Sequence, residues 1–273
     1  MHSGLSPTIR GMLEPIDYDH RQFDVYERGR ELPPDAIEAW MQAFARHVRQ
    51  QRPLSVLDLG SGTGRFTPAL AQTFGGPVHG VEPADRMRAI AERSARHPRV
   101  TYLAGAAERI PLPDESCDLV VMYLSFHHVT DREAAAREIA RVLRPSPGGQ
   151  VLVRSTFADR IPDLLWHRCF PRARAVEEDM FPTVDEVVQV FSAVGLRPLV
   201  LDQVRHRFAP SVTEYAAQLR LRAVSTFEHL TEDEIAQGFA ALDRDAATET
   251  ETEPRPVEAD CDLLVLGSHP ATA

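Results

Sequence analysis

The chain has 273 residues, a formal charge of −10, and 30 cations that are all Arg with no Lys among them. An acidic balance with scattered Arg argues against broad binding to a nucleic-acid backbone. No apolar run reaches membrane-spanning length, and the first residues lack the apolar centre of a signal peptide. Cys117, Cys169 and Cys261 are far apart and lack metal-ligand spacing, so they read as buried thiols of a reduced, cytoplasmic protein with no metal site.

Residues 1–16 carry no periodicity, and Tyr18, Phe23 and Tyr26 follow among charges. After Pro33 and Pro34, Asp35 can cap a helix whose Ile37, Trp40, Met41, Phe44 and Val48 recur at helical spacing. The stretch LSVLDLGSGTGRF at 54–66 reads as strand, tight turn and helix start. Gly60, Gly62 and Gly64 let the backbone take positive φ and let a ligand approach, and the helix N-terminus offers unpaired N–H groups. The helix runs to Phe74 and stops at Gly75, Gly76 and Pro77.

A second strand at 78–81 ends on Glu82, and a helix containing Met87, Ile90 and Ala91 follows. Strands are predicted at 100–104, 118–124 and 150–155, with a helix at 131–143 between the last two. The run at 118–124 is continuously apolar, as for a strand buried on both faces. Alternation at this pace calls for a parallel sheet covered on both sides.

Beyond Thr156 the rhythm breaks. Residues 161–180 read as a helical insert, a helix starts at Thr183 and ends at Gly195, and a sixth strand covers 196–207. Ser211 caps another helix, and Thr231 with Glu234 has capping-box spacing. The acidic stretch ATETETEPRPVEAD reads as a flexible surface loop, and 261–267 supplies a last strand. The expected organisation is a lid segment and helix at 1–50, a cofactor-binding core at 51–156, a helical insert at 157–182, and the rest of the core at 183–273 with cap helices at 211–247.

A dinucleotide fingerprint wants glycines at its first, third and sixth positions. Here Arg65 holds the sixth and the third glycine falls at the fifth. Asp58 just before the turn would repel a pyrophosphate and attract the α-ammonium of an amino-acid ligand.

These residues, with Glu82, the stretch GAAERIPLPDESCDLVVMYLSFHHV and the helix ending RVLRPSPGG, resemble the class I S-adenosylmethionine-dependent methyltransferases, in their small-molecule, ubiquinone-type branch. The resemblance covers 54–155. It implies an α/β, Rossmann-like, mainly parallel seven-stranded sheet with the last strand antiparallel, helices on both faces, and a helical cap from the N-terminus and inserts. S-adenosyl-L-methionine is the implied cofactor. Backbone at Gly60, Ser61, Gly62 and Gly64 would lie by its methionine part with Asp58 near, and Glu82 would hold the ribose diol. Pro83, Met87 and the turn Ala106-Ala107-Glu108 would flank the adenine.

Tyr123 and Ser125 would line the methionine arm, and Tyr18 and Tyr26, with Arg30, would come from a segment folding over it. His127 and His128, after the fourth strand, are the candidate general bases. Trp166, Phe170 and Arg222, together with His167, Arg168, Arg220 and Ser225, are candidates for the acceptor pocket. The expected activity is methyl transfer to an O or C atom, less readily N, of a small molecule in bacterial secondary or cofactor metabolism, by a monomer or homodimer that binds neither nucleic acid nor membrane. A protein that binds the same cofactor for rearrangement or cyclisation, and a nicotinamide dehydrogenase, are the alternatives.

Overall fold

A computed structural model describes residues 32–48, 52–145, 148–250 and 252–268. Along the first half run α1 (Pro34–His47), β1 (Leu54–Leu59), α2 (Thr67–Phe74), β2 (Gly75–Glu82), α3 (Asp85–Ser94), β3 (Val100–Ala104), β4 (Leu119–Tyr123), α4 (Arg132–Val142) and β5 (Gln150–Arg154). Then come α5 (Leu165–Cys169), α6 (Pro171–Met180), α7 (Val184–Ser192), β6 (Arg197–Ala209), α8 (Val212–Leu219), α9 (Glu232–Ala246) and β7 (Val257–Gly267).

The strands form one sheet in the order β3-β2-β1-β4-β5-β7-β6. β1 to β5 pair in parallel, and β7 runs antiparallel to both β5 and β6. Every residue of β1 and β4 is buried, as their aliphatic runs require. The chain winds one way from β1 to β3 and the other way from β4, so a crevice opens at the carboxyl ends of β1 and β4.

Ile139 and Val142 of α4 and Val187 and Phe191 of α7 cover one face of the sheet. Trp40 and Phe44 of α1 and Leu70 and Phe74 of α2 cover the other. A third cluster joins α5, α6, α8 and α9 through Trp166, Phe170, Val176, Tyr215, Ile235 and Leu242, reaching Ala209 and Val257 at the ends of β6 and β7. That cluster is the core of a cap.

Helix starts follow local chemistry. Asp131 accepts from the Ala134 N–H at the start of α4, Ser211 from Glu214 at α8, and Thr183 and Thr231 form full capping boxes with Glu186 and Glu234. Each contributes about 1 kcal/mol.

Three expectations change. Asp35 does not cap α1, because the helix already starts at Pro34, with Pro33 at its N-cap and no side-chain bond there. β2 begins at Gly75 rather than 78, because Gly76 packs so close to β1 that a Cβ there would lie 2.2 Å from the Leu54 carbonyl oxygen. The acidic stretch is not loop throughout: β7 takes its last four residues from Val257, and Glu258 pairs with Arg205 and Arg207. Its first half is anchored by Glu249, which accepts from the backbone N–H groups of Arg255, Val212 and Thr213. Those bonds, Arg255's foremost, hold its carboxyl down at about 2. Among the described residues no helix is long and apolar enough to cross a membrane.

Candidate active site

The loop after β1 is held to β2, since the N–H groups of Gly60 and Ser61 both donate to the Val81 carbonyl, at 2.8 and 3.1 Å. Gly60 and Gly62 take φ of 76° and 57°, which favours glycine. A Cβ on Gly60 would also fall 2.4 Å from Ser125 Cβ, so the loop and the end of β4 approach to backbone distance. Gly64 serves packing instead: it lines neither part of the crevice, and a Cβ there would lie 2.3 Å from the Tyr102 hydroxyl. Ser61 enters through its backbone, its hydroxyl being buried against Gly80.

Two carboxylates flank this loop. Asp58 is buried and accepts from the Thr67 hydroxyl at 2.6 Å. Burial is the main reason its pKa rises to about 6, with Glu82 adding to the rise and Thr67 and Arg65 opposing it. Glu82 accepts the Gly62 and Ala84 N–H groups, one on each oxygen, both at 2.9 Å. A carboxylate accepts through about four lone-pair positions, the chemistry that a ligand diol needs.

A crevice of about 800 Å³, counted to its mouth, runs over Gly60, Gly62, Glu82, Pro83, Met87, Ala106, Ala107, Glu108, Tyr123, Ser125 and His128. The Glu108 carboxylate also accepts from Thr130 and Asp131, which ties the Ala106 turn to the start of α4. The Ser125 hydroxyl donates to the Leu59 carbonyl at 2.7 Å. The donor set suits an adenosylated amino acid: a buried anion by the loop for an ammonium, a second carboxylate for a diol, and a slot of small and apolar groups for a purine. Tyr18, Tyr26 and Arg30 lie outside the described residues.

A second cavity of about 1010 Å³, mouth included, shares Tyr123 and Leu124 with the crevice. Leu124 sits at φ 55°, a conformation rare for Leu, at this junction. Tyr123 stacks on Phe66, with centroids 4.0 Å apart, and meets the edge of Trp40 at 5.4 Å. His127 opens on the second cavity and His128 on the crevice, their rings 3.8 Å apart, so the adjacent histidines serve different spaces.

Trp166 and Ser225 line the second cavity, as does Glu177, which accepts from the Trp166 indole, the Thr226 hydroxyl and His167 Nε2. Phe170 does not reach it. Its ring is buried in the cap against Trp166, Phe227 and Phe239, because it sits at the junction of α5 and α6, where the extended backbone turns it into the cap core. Arg222 also stays outside, held in a two-bond pair by Glu232, and Arg220 pairs with Asp243. His167 and Arg168 line neither space. Missed from the sequence were Arg154, Glu177, His206 and Tyr215, all on the cavity wall. The one signal was an Arg closing an aliphatic strand at its carboxyl end.

A doubly wound sheet of this order, with a glycine loop after β1 and a carboxylate ending β2, is the fold of class I methyltransferases. Residues 57–153 match the methyltransferase-domain family, and the fold of this core is that of the class I S-adenosylmethionine-dependent methyltransferases. An uncharacterised methyltransferase of Mycobacterium tuberculosis is 41% identical over 138 residues, covering 50% of this chain and 51% of that one. The ubiquinone/menaquinone biosynthesis C-methyltransferase of a Caulobacter species is 32% identical over 145 residues, covering 48% and 57%. The chain thus spans about half the length of the curated relatives it matches.

Among solved structures, one described as a methyltransferase from an antibiotic biosynthesis pathway of Anabaena variabilis has a TM-score of 0.68 at 21% identity, covering 88% of this chain and 99% of that one. The 4+2 cyclase SpnF has a TM-score of 0.58 at 20% identity, covering 88% and 84%. Both likenesses concern the fold.

Proposed function

We infer that the protein transfers a methyl group from S-adenosylmethionine to an O or C atom of a small molecule held in the second cavity. The observation that carries this is the junction at Tyr123 and Leu124, where a crevice suited to the cofactor opens onto a separate cavity lined mostly by apolar groups. Bound cofactor supplies an electrophilic methyl on a sulfonium. The chain's part is to hold and to orient, which accounts for much of the acceleration in such displacements.

In this reading Asp58 faces the ammonium, Glu82 takes the ribose hydroxyls, and Pro83, Met87 and Ala107 bound the adenine. The wall of Trp166, Phe181 and Phe208 keeps water from the acceptor. His127, on the acceptor side, is the base where the acceptor must lose a proton; His128 helps shape the cofactor side. Incubation with the cofactor and a panel of phenolic and enolic acceptors should release S-adenosylhomocysteine in step with a product heavier by one methylene. Turnover without that release would favour the cyclisation alternative, whose fold-level support is the likeness to the cyclase.

A further inference from the structure

Arg154 closes β5 and is 4% exposed, yet it lines the acceptor cavity. Its Nε has no hydrogen-bond partner, and among the described residues no carboxylate lies within ion-pair distance of its guanidinium. The groups against it are the rings of Tyr123 at 5.0 Å and Trp40 at 5.5 Å and the thiol of Cys261, with the Asp262 carboxylate acting on it from beyond ion-pair distance. The nearby carboxylates are committed elsewhere. Asp262 is gripped by Arg160 through two bonds and by Gln203, and Glu177 is shared among Trp166, His167 and Thr226.

A buried cation with no ion-pair partner in contact carries a desolvation cost that two ring faces offset only in part. Every other Arg of the described cap pairs named above, Arg220 and Arg222, already has its anion. The other guanidinium of the cavity, Arg65, lies over Phe66 and Tyr123 and acts on Asp58. Trp40 donates its indole N–H to His206 Nδ1 at 2.9 Å, which fixes that imidazole on the same wall.

Resting on the function proposed above, we propose that Arg154 anchors an anionic oxygen of the methyl acceptor, so that the substrates are small, largely apolar molecules bearing a carboxylate or an ionised hydroxyl. The planar fork of Arg suits a carboxylate in two bonds and an oxyanion in one. The apolar body would lie against Trp166, Phe181 and Leu219.

The test is calorimetric titration of the full chain, with and without S-adenosylhomocysteine, using 4-nitrobenzoate, 4-nitrophenolate and neutral 4-nitroanisole. Wild type should bind at least one anionic probe about tenfold or more tighter than the anisole, as hydrogen bonds to a charged group allow. Which anion binds more tightly distinguishes carboxylate from ionised hydroxyl. Arg154→Met should erase the preference and leave S-adenosylhomocysteine affinity unchanged; Arg154→Lys should keep only part of it, and covers the case in which the Met variant does not fold. Wild type binding all three probes alike, or either variant keeping the full preference, overturns the assignment. Failure of wild type to bind S-adenosylhomocysteine would instead sink the methyltransferase reading, with the anion preference still measurable on its own.

Discussion

The side chain that Gly60 lacks would fall 2.4 Å from Ser125 Cβ, and Ser125 is fixed there by its hydroxyl bond to the Leu59 carbonyl. The glycine is therefore required by the neighbouring strand as well as by its own φ of 76°. Gly60→Ala should push the β1 loop from the end of β4 and weaken S-adenosylhomocysteine binding by about tenfold or more, from a backbone strain of roughly 1–2 kcal/mol plus the clash. Calorimetry reads the affinity, and Ser125→Gly in the same chain should recover part of the loss.

Asp58 should couple binding and stability with opposite signs. Its pKa is about 6 in the folded chain against an ordinary 3.8, so between those values the folded chain keeps a proton that the unfolded chain has released. Its ionisation thus lowers stability progressively as pH rises through that window, by about 3 kcal/mol once past it. Asp58→Asn should be the more stable protein in urea unfolding at neutral pH, with the advantage fading toward about pH 4. The same change should weaken S-adenosylhomocysteine binding at neutral pH, and wild-type affinity should itself fall as pH drops through 6.

The two histidines should separate kinetically because they open on different spaces. His127→Ala should lower kcat by about 100-fold or more for an acceptor that must lose a proton. His128→Ala should act chiefly on the KM for the cofactor. Equal effects of the two on both constants would contradict this division.

Gly238 lies inside α9, where glycine costs about 1 kcal/mol relative to Ala. It is retained because a Cβ there would sit 2.1 Å from the Phe170 ring. Gly238→Ala should therefore destabilise the cap despite the better helix propensity, and lower the thermal midpoint. Arg222→Ala, which removes only an exposed pair with Glu232, should change stability by under about 1 kcal/mol and leave turnover unchanged.

The strand and helix order was legible because β4 is an unbroken apolar run, β1 is largely aliphatic up to its glycine turn, and α4, α7, α8 and α9 open on Asp, Thr or Ser with the capping partner in place. The cofactor side was legible too, since its groups follow one another along a short stretch from Asp58 to Ser125. The acceptor side was not. Phe170 and Arg222 carry the same residue chemistry as real wall residues, and only the backbone of the junctions they occupy, between α5 and α6 and after α8, decides where each side chain goes. Arg154, Glu177 and His206 come from β5, α6 and β6, segments far apart in the chain that meet through the β5-β7-β6 end of the sheet.

The cap hangs from β6 and β7, which are longer than the other strands and reach past the sheet into the cap core at Ala209 and Val257. Much of the acceptor wall belongs to this overhang and the helices it carries, while the methyl-donor crevice lies between Gly60 and His128. A lineage can therefore rework its choice of acceptor by accumulating changes in the half of the gene that follows β4 while the donor half stands still. Swapping that stretch between related chains is the corresponding engineering route.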